Sequence, residues 1–92
     1  MIRDLEIFVD LMAGRQYNDV ERDLVASGFT VAKTGKDRES GGRRVRFTKD
    51  HHESATVIDV IHEWNVDHYG IGKPGKVISG KMVDPGARHE YS

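Results

Sequence analysis

The sequence contains no cysteine, only 2 prolines and no long apolar run. The absence of cysteine excludes disulfides and every catalytic or metal site that needs a thiolate. No apolar segment approaches the ~20 residues of a membrane-spanning helix, and nothing resembles a signal peptide. A large excess of charge of one sign is also missing, since the formal net charge is -1. These absences predict a soluble, cytoplasmic protein that is not a generic binder of polyanions.

The 92 residues predict a single domain, 1–92, in which we expect 85–92 to form a frayed C-terminal tail. Hydrophobic residues at 37% and charged residues at 32% are typical of a globular protein. The chain has 10 valines and 6 isoleucines against 3 leucines. Because β-branched side chains fit a pleated sheet better than a helix, a sheet should supply much of the core.

The segment 4–12 alternates apolar and acidic side chains, which favours a β-strand. The apolar face of that strand would hold Leu5, Ile7, Val9 and Leu11. A short helix is the competing interpretation, because helical spacing also aligns Ile2, Leu5, Val9 and Met12.

Residues 18–28 carry start and stop signals of a helix. Asn18 followed by Glu21 resembles a capping arrangement, and Gly28 stands where a left-handed C-terminal cap is needed. Phe29 is expected to fold back onto the last turn. The predicted buried stripe consists of Val20, Leu24 and Val25.

Two short alternating runs, 29–35 and 43–49, flank a polar stretch and predict an antiparallel hairpin. Val45 and Phe47 should face the core. The opposite face, toward solvent or a partner, should carry Arg44, Arg46 and Thr48.

The segment 56–64 fits two structures. Helical periodicity gathers its apolar residues in one arc, with Ser54 available as a cap, whereas its four β-branched aliphatic residues suit a strand. The sequence slightly favours the helix. Trp64 is then expected in the core and Tyr69 at the core edge.

Residues 65–76 are predicted to be a glycine-rich loop, and 76–83 a last strand with Gly80 as a bulge. The resulting order, βαββαβ, predicts a ferredoxin-like two-layer sandwich with two helices on one face of an antiparallel sheet. If 56–64 is a strand, the alternative is the α-β-β-β meander of double-stranded-RNA-binding domains and HicA-type toxins.

Charge is unevenly distributed along the chain. Residues 1–28 carry 3 basic and 6 acidic groups, whereas residues 33–50 carry 7 basic and 3 acidic ones. The predicted hairpin is therefore the best candidate contact surface, because arginine matches phosphate or carboxylate groups. The candidate partner-binding residues are Lys36, Arg38, Arg43, Arg44, Arg46 and Lys49. Solvated edge-strand charges that discourage aggregation are the alternative explanation.

The run GIGKPGKV at 70–77 comes within one residue of a phosphate-binding loop. Val77 lacks the hydroxyl that would ligate magnesium, so nucleotide hydrolysis is not expected. A weak anion site at Lys73 and Lys76 is retained. No cofactor is predicted, and the five histidines do not predict a metal site.

The stretch from Asp19 to Phe47, a helix ending in SGFTV followed by GGRRVRF, resembles HicA-type toxins, which are small ribonucleases. The resemblance covers about a third of the chain and implies a related RNA-binding shape. Gly41-Gly42-Arg43-Arg44 stands where the family carries Gly-Ser-His, so the histidine implied to be catalytic is missing.

The leading hypothesis is a non-enzymatic binding or inhibitor protein, of a size that suits phages and mobile elements. Its basic hairpin would engage an acidic protein partner or nucleic acid, and an exposed edge strand makes a homodimer plausible. The alternative is a HicA-like ribonuclease or RNA-binding module, with His51, His52 or His62 as catalytic candidates.

Overall fold

The computed structural model describes residues 2–83 as two helices followed by four strands. The elements are α1 (Leu5–Asp10), α2 (Tyr17–Ala26), β1 (Thr30–Lys36), β2 (Arg43–Asp50), β3 (Ala55–Val66) and β4 (Gly72–Val83). The strands form one antiparallel sheet in the order β1-β2-β3-β4. The predicted α+β class is confirmed. The tail expected over 85–92 lies outside the described residues.

The order of the elements differs from the ferredoxin-like prediction, because both helices precede the whole sheet. It is closer to the alternative, since α2 is followed by the antiparallel meander β1 to β3. The fourth strand and the first helix extend that arrangement. Over residues 2–83, no helix is long and apolar enough to cross a membrane.

The first element is helical, so the strand predicted over 4–12 is wrong. The Asp4 carboxylate caps the helix by accepting a hydrogen bond from the Ile7 amide at 3.1 Å. Val9 and Met12 are buried, and Leu5 and Phe8 pack partly against the same core. These four residues have helical spacing. Ile7, which the apparent alternation placed on the apolar face of a strand, is exposed.

The segment predicted as a helix over 56–64 is instead the long central strand β3. It pairs with β2 on one side and β4 on the other, and is buried on both faces along much of its length. Ile58 and Val60 pack against the helices, whereas Val57 and Asp59 lie on the opposite face. A strand covered on both faces loses the apolar–polar alternation that identifies a strand in sequence.

Helix α2 follows its prediction closely. Val20 and Leu24 are fully buried, Gly28 has a φ of 96°, and the Phe29 amide donates to the Leu24 carbonyl at 3.0 Å. Two details differ. Gln16 is the N-cap instead of Asn18, and Val25 is exposed.

One hydrophobic core joins both helices to one face of the sheet. It contains Val9, Met12, Tyr17, Val20, Leu24, Phe29, Val45, Phe47, Ile58, Val60 and Val77. Every one of the seven residues of β1 is exposed. The helices therefore cover the sheet from β2 to β4, and β1 is held by its pairing with β2.

The glycine-rich segment predicted as a loop is largely strand. Residues 65–66 belong to β3 and 72–76 to β4, so the turn is confined to 67–71. Gly80 pairs in register with Val60, and a Cβ there would overlap the Met12 sulfur. Close packing with Met12, which follows α1, and not a bulge, thus explains this glycine.

Candidate functional site

The β1–β2 hairpin separates its basic residues onto the two faces of the sheet. Val45 and Phe47 face the helices as predicted, and Arg44 and Arg46 alternate with them onto the opposite face, which we call the far face. Arg43 and Lys49 lie on the side of the helices. The six candidate contact residues therefore do not form one patch.

Arg43 and Lys49 make structural contacts. The guanidinium of Arg43 lies 4.5 Å from the centre of the Trp64 ring, a cation–π geometry. The Lys49 ammonium donates to the Ser27 carbonyl at 2.7 Å and so satisfies the C-terminal cap of α2. The Lys49 side chain also fills the space beside Gly28.

Arg46 forms a buried ion pair with Asp59 across β2 and β3. Its Nε and a terminal nitrogen donate to the two carboxylate oxygens at 2.7 and 2.9 Å. The two side chains are only 10% and 11% exposed. Such a bidentate pair fixes the position of the arginine, and breaking it leaves a charge in a desolvated site.

Arg44 is tied to the turn of the hairpin through Asp37. One terminal nitrogen lies 3.3 Å from Asp37 Oδ1, while Asp37 Oδ2 accepts hydrogen bonds from the amide and hydroxyl of Ser40. The hydrogen bonds from Ser40, and then the charge of Arg44, lower the pKa of Asp37. The turn is thus held in one conformation, with Arg44 at its base.

A cleft of about 170 Å³ lies over β1 and β2 at the far face. It is lined by Lys33, Thr34, Gly35, Lys36, Arg44, Arg46 and Asp59. Lys36 is in register with Arg43, so its side chain lies on the helix side. The wall thus carries three basic side chains, Lys33, Arg44 and Arg46, and one carboxylate, both oxygens of which already accept hydrogen bonds from Arg46. The cleft is suited to a negatively charged group.

The remaining predicted contact residues lie outside the cleft. Arg38 is exposed in the turn of the first hairpin, and Lys73 and Lys76 are exposed on β4. The backbone around the two lysines is extended and paired with β3, with the Lys76 amide donating to Glu63 Oε1 at 3.0 Å. The loop of amides that the weak anion site required is therefore not formed by 72–76.

The histidines of residues 2–83 do not converge. His62 pairs with Arg43 at the start of β2, whereas His51 follows the end of β2, so about 23 Å of strand separates them. His51 Nε2 lies 2.8 Å from the Thr56 hydroxyl. Within residues 2–83, no group of three or more histidine, aspartate or glutamate side chains is placed to hold a metal ion.

His62 is a packing residue. It is 3% exposed, its ring centre lies 4.0 Å from that of Tyr17, and its Nδ1 donates to the Glu63 carbonyl at 2.7 Å. Burial, together with a hydrogen bond to Glu21 and the charge of Glu21, raises the pKa of Tyr17. A neutral tyrosine thus joins α2 to β3 at this point.

The sequence missed Lys33 and Asp59 as members of the cleft. Lys33 is paired with Arg46 across the strands, so the alternation of side chains in the hairpin could have predicted that the two share a face. One more expectation needs correction. Tyr69, expected at the core edge, is 78% exposed at the tip of the β3–β4 hairpin, and Trp64 is only half-buried.

Comparisons of this chain with family models, with curated proteins and with solved structures found no match.

Proposed function

We propose that this protein is a non-enzymatic binding protein that captures an acidic protein surface through the cleft of the β1–β2 hairpin. The observation that carries the proposal is the convergence of Lys33, Arg44 and Arg46 on one small cleft. The Arg46–Asp59 and Arg44–Asp37 pairs hold two of these cations in place before a partner arrives. Preorganised charge lowers the entropic cost of binding and speeds encounter.

An acidic protein suits this cleft better than nucleic acid does. Binding of single strands relies on aromatic platforms on which bases stack, and no aromatic side chain of the described residues lines the cleft. Phe47, the aromatic residue of the hairpin, is fully buried on the helix side.

The test compares an acidic polypeptide with a nucleic acid. Fluorescence anisotropy would measure the Kd of poly-L-glutamate and of single-stranded RNA at low and raised salt. We expect the polyglutamate to bind more tightly. Lys33→Glu or Arg44→Gln should weaken its binding about tenfold at low salt, and less at high salt.

Lys73→Glu is the matched control, because it reverses an equally exposed lysine on the other hairpin. Unchanged binding in the Lys33 and Arg44 variants, or a loss of equal size in the Lys73 variant, would overturn the proposal. Capture from the native host, followed by nuclease treatment and mass spectrometry, then identifies the partner. An inhibitor of phage or mobile-element origin is the biological setting that fits such a small binder.

An RNA-binding module related to HicA-type toxins is the second candidate. It is favoured by the order of α2 and the meander β1 to β3. Cleavage is disfavoured, because His51 and His62 lie at opposite ends of β2. RNA binding tighter than polyglutamate binding would support the module, and RNA cleavage at micromolar protein, with or without zinc or manganese, would support the enzyme.

A further inference from the structure

Strand β1 is an outer edge of the sheet, since it pairs with β2 alone. All seven of its residues are exposed, and it contributes nothing to the hydrophobic core. An edge strand of this kind is a template onto which another extended chain can pair. Which chain can pair with β1 therefore depends on which of its backbone groups point outward and on which side chains lie beside them.

The pairing of the hairpin shows which amides point outward. The Asp37 amide donates to the Gly42 carbonyl at 3.0 Å, so this pair is hydrogen-bonded. In an antiparallel ladder, hydrogen-bonded and non-hydrogen-bonded pairs alternate. Gly35 and Lys33 therefore bond to β2, and Thr34 and Lys36 direct their N–H and C=O groups away from it.

Basic side chains line the same edge. Thr34 and Lys36 belong to the wall of the cleft, as do Lys33 and Arg44. A chain that paired with the outward groups of Thr34 and Lys36 would thus place its alternate side chains on the same face as two cations, Lys33 and Arg44. Carboxylates at those positions would gain charge-assisted contacts in addition to backbone hydrogen bonds.

A second copy of this chain is a poor occupant of the edge. Antiparallel pairing of two β1 strands would bring Lys33 and Lys36 of the two copies near one another, and like charges on facing strands are destabilising. The irregularity in the pairing with β2 between Val31 and Lys33 further hinders a long flat contact. Lysines and irregular pairing are features by which edge strands avoid self-association.

We propose that the partner supplies an extended acidic segment that pairs with β1 as a fifth strand of the sheet. This inference rests on the proposed function and specifies that the acidic surface is an extended strand. Backbone bonds to Thr34 and Lys36 give the alignment, and Lys33 and Arg44 select carboxylates. Nucleic acid can offer negative charge to the cleft but cannot continue the ladder.

The probe for the test is a synthetic peptide as long as β1, seven residues, that alternates glutamate with valine and has blocked ends. Its Kd would be measured by fluorescence anisotropy, and the amide shifts of Thr34 and Lys36 by NMR. We expect binding in the wild type, with the largest shifts at these two amides. The same peptide with lysine in place of glutamate should not bind.

Backbone pairing is tested separately from charge. Thr34→Pro removes an outward N–H without removing a bond to β2, and an edge strand tolerates proline at such a position. It should weaken peptide binding about threefold to tenfold. Thr34→Val is the matched control, since it changes the side chain and keeps the N–H, and it should leave the Kd unchanged.

A second measurement applies if the proline variant does not fold. Wild-type protein is titrated with the glutamate–valine peptide methylated at alternate backbone nitrogens. The methylated peptide keeps its charge but loses the N–H donors along one of its edges. If methylation along neither edge of the peptide changes its affinity, strand pairing is overturned, but the proposed capture of an acidic surface is not. Failure of both the peptide and polyglutamate to bind overturns both proposals.

Discussion

The β1–β2 hairpin and the β3–β4 hairpin lie side by side in one sheet but use their residues differently. The first, over residues 30–50, contains seven basic and three acidic groups, whereas the second, over 55–83, contains three of each. The first has a strand with no buried residue, and the second contains the central strand of the core. Charge and exposed backbone are thus concentrated in the hairpin that contributes less to the core.

Glycines show the same difference. A Cβ on Gly35 of β1 would meet no atom within 4 Å, whereas a Cβ on Gly72 or Gly80 of β4 would collide with Trp64 or Met12. Packing therefore dictates these two glycines of β4 and leaves Gly35 of β1 unconstrained. The difference belongs to the two outer strands, since a Cβ on Gly42, just before β2, would collide with the His62 carbonyl.

The largest expected effect comes from the ion pair that joins the two hairpins. Asp59→Ala removes both carboxylate oxygens that bond Arg46 and should destabilise the protein by about 3 kcal/mol, because the arginine keeps its charge in a desolvated site. Urea denaturation measures the loss. Asp50→Ala, at an exposed position of β2, is the control and should change stability by less than about 0.5 kcal/mol.

A loss below about 1 kcal/mol in Asp59→Ala would show that the pair is solvated and that the far face is not a desolvated site. The double variant Arg46→Met, Asp59→Leu sharpens the result. Replacing a buried pair by apolar residues of similar volume is often neutral, so the double variant should be more stable than Asp59→Ala.

The next effect tests the glycine difference directly. Gly80→Ala should destabilise the protein by about 2 kcal/mol, since the new methyl group would overlap the side chain of Met12, which is fully buried. Gly35→Ala is the counterpart in the first hairpin and should fall within about 0.5 kcal/mol of the wild type. Equal thermal shifts in the two variants would contradict the comparison.

A smaller effect concerns the pH dependence of the first hairpin. The pKa of Asp37 is lowered from about 3.8, so the folded state binds fewer protons than the unfolded state in acid. Its contribution to stability is therefore complete above that value and is lost as the pH falls through the lowered pKa of the folded state. Asp37→Asn should remove this part of the acid dependence.

Urea denaturation at a series of acidic pH values would compare the wild type with Asp37→Asn. Glu39→Gln is the control, because it neutralises an exposed carboxylate of the same turn. Parallel stability curves for the wild type and Asp37→Asn would mean that the contacts with Ser40 and Arg44 do not favour the ionised carboxylate.

The smallest effect is expected at the tip of the second hairpin. Tyr69→Ser should change stability by less than about 0.5 kcal/mol, because the ring is 78% exposed and its backbone is held by Asp67, whose Oδ1 accepts from the Tyr69 amide at 2.9 Å. It should also leave polyglutamate binding unchanged. Weaker polyglutamate binding by this variant would show that the contact surface lies outside the first hairpin.

Much of the first hairpin could be predicted from the sequence. Regular alternation placed Phe47 in the core and Arg44 on the other face, and the glycines of the polar stretch indicated the turn. Which cations act together could not be predicted in the same way. Arg46 bonds to Asp59 thirteen residues away, and this pairing depends on the register of β2 against β3.

The sequence by itself determined an α+β domain, a helix ending at Gly28 and a basic hairpin after it, because these features rest on local periodicity, turn residues and charge. Only the tertiary structure decided between helix and strand for 4–12 and 56–64. In both segments the apolar residues fit either periodicity. The choice was made by tertiary neighbours: β2 and β4 pair with the two edges of β3, and Met12, which follows α1, packs against Gly80, where no side chain is in the way.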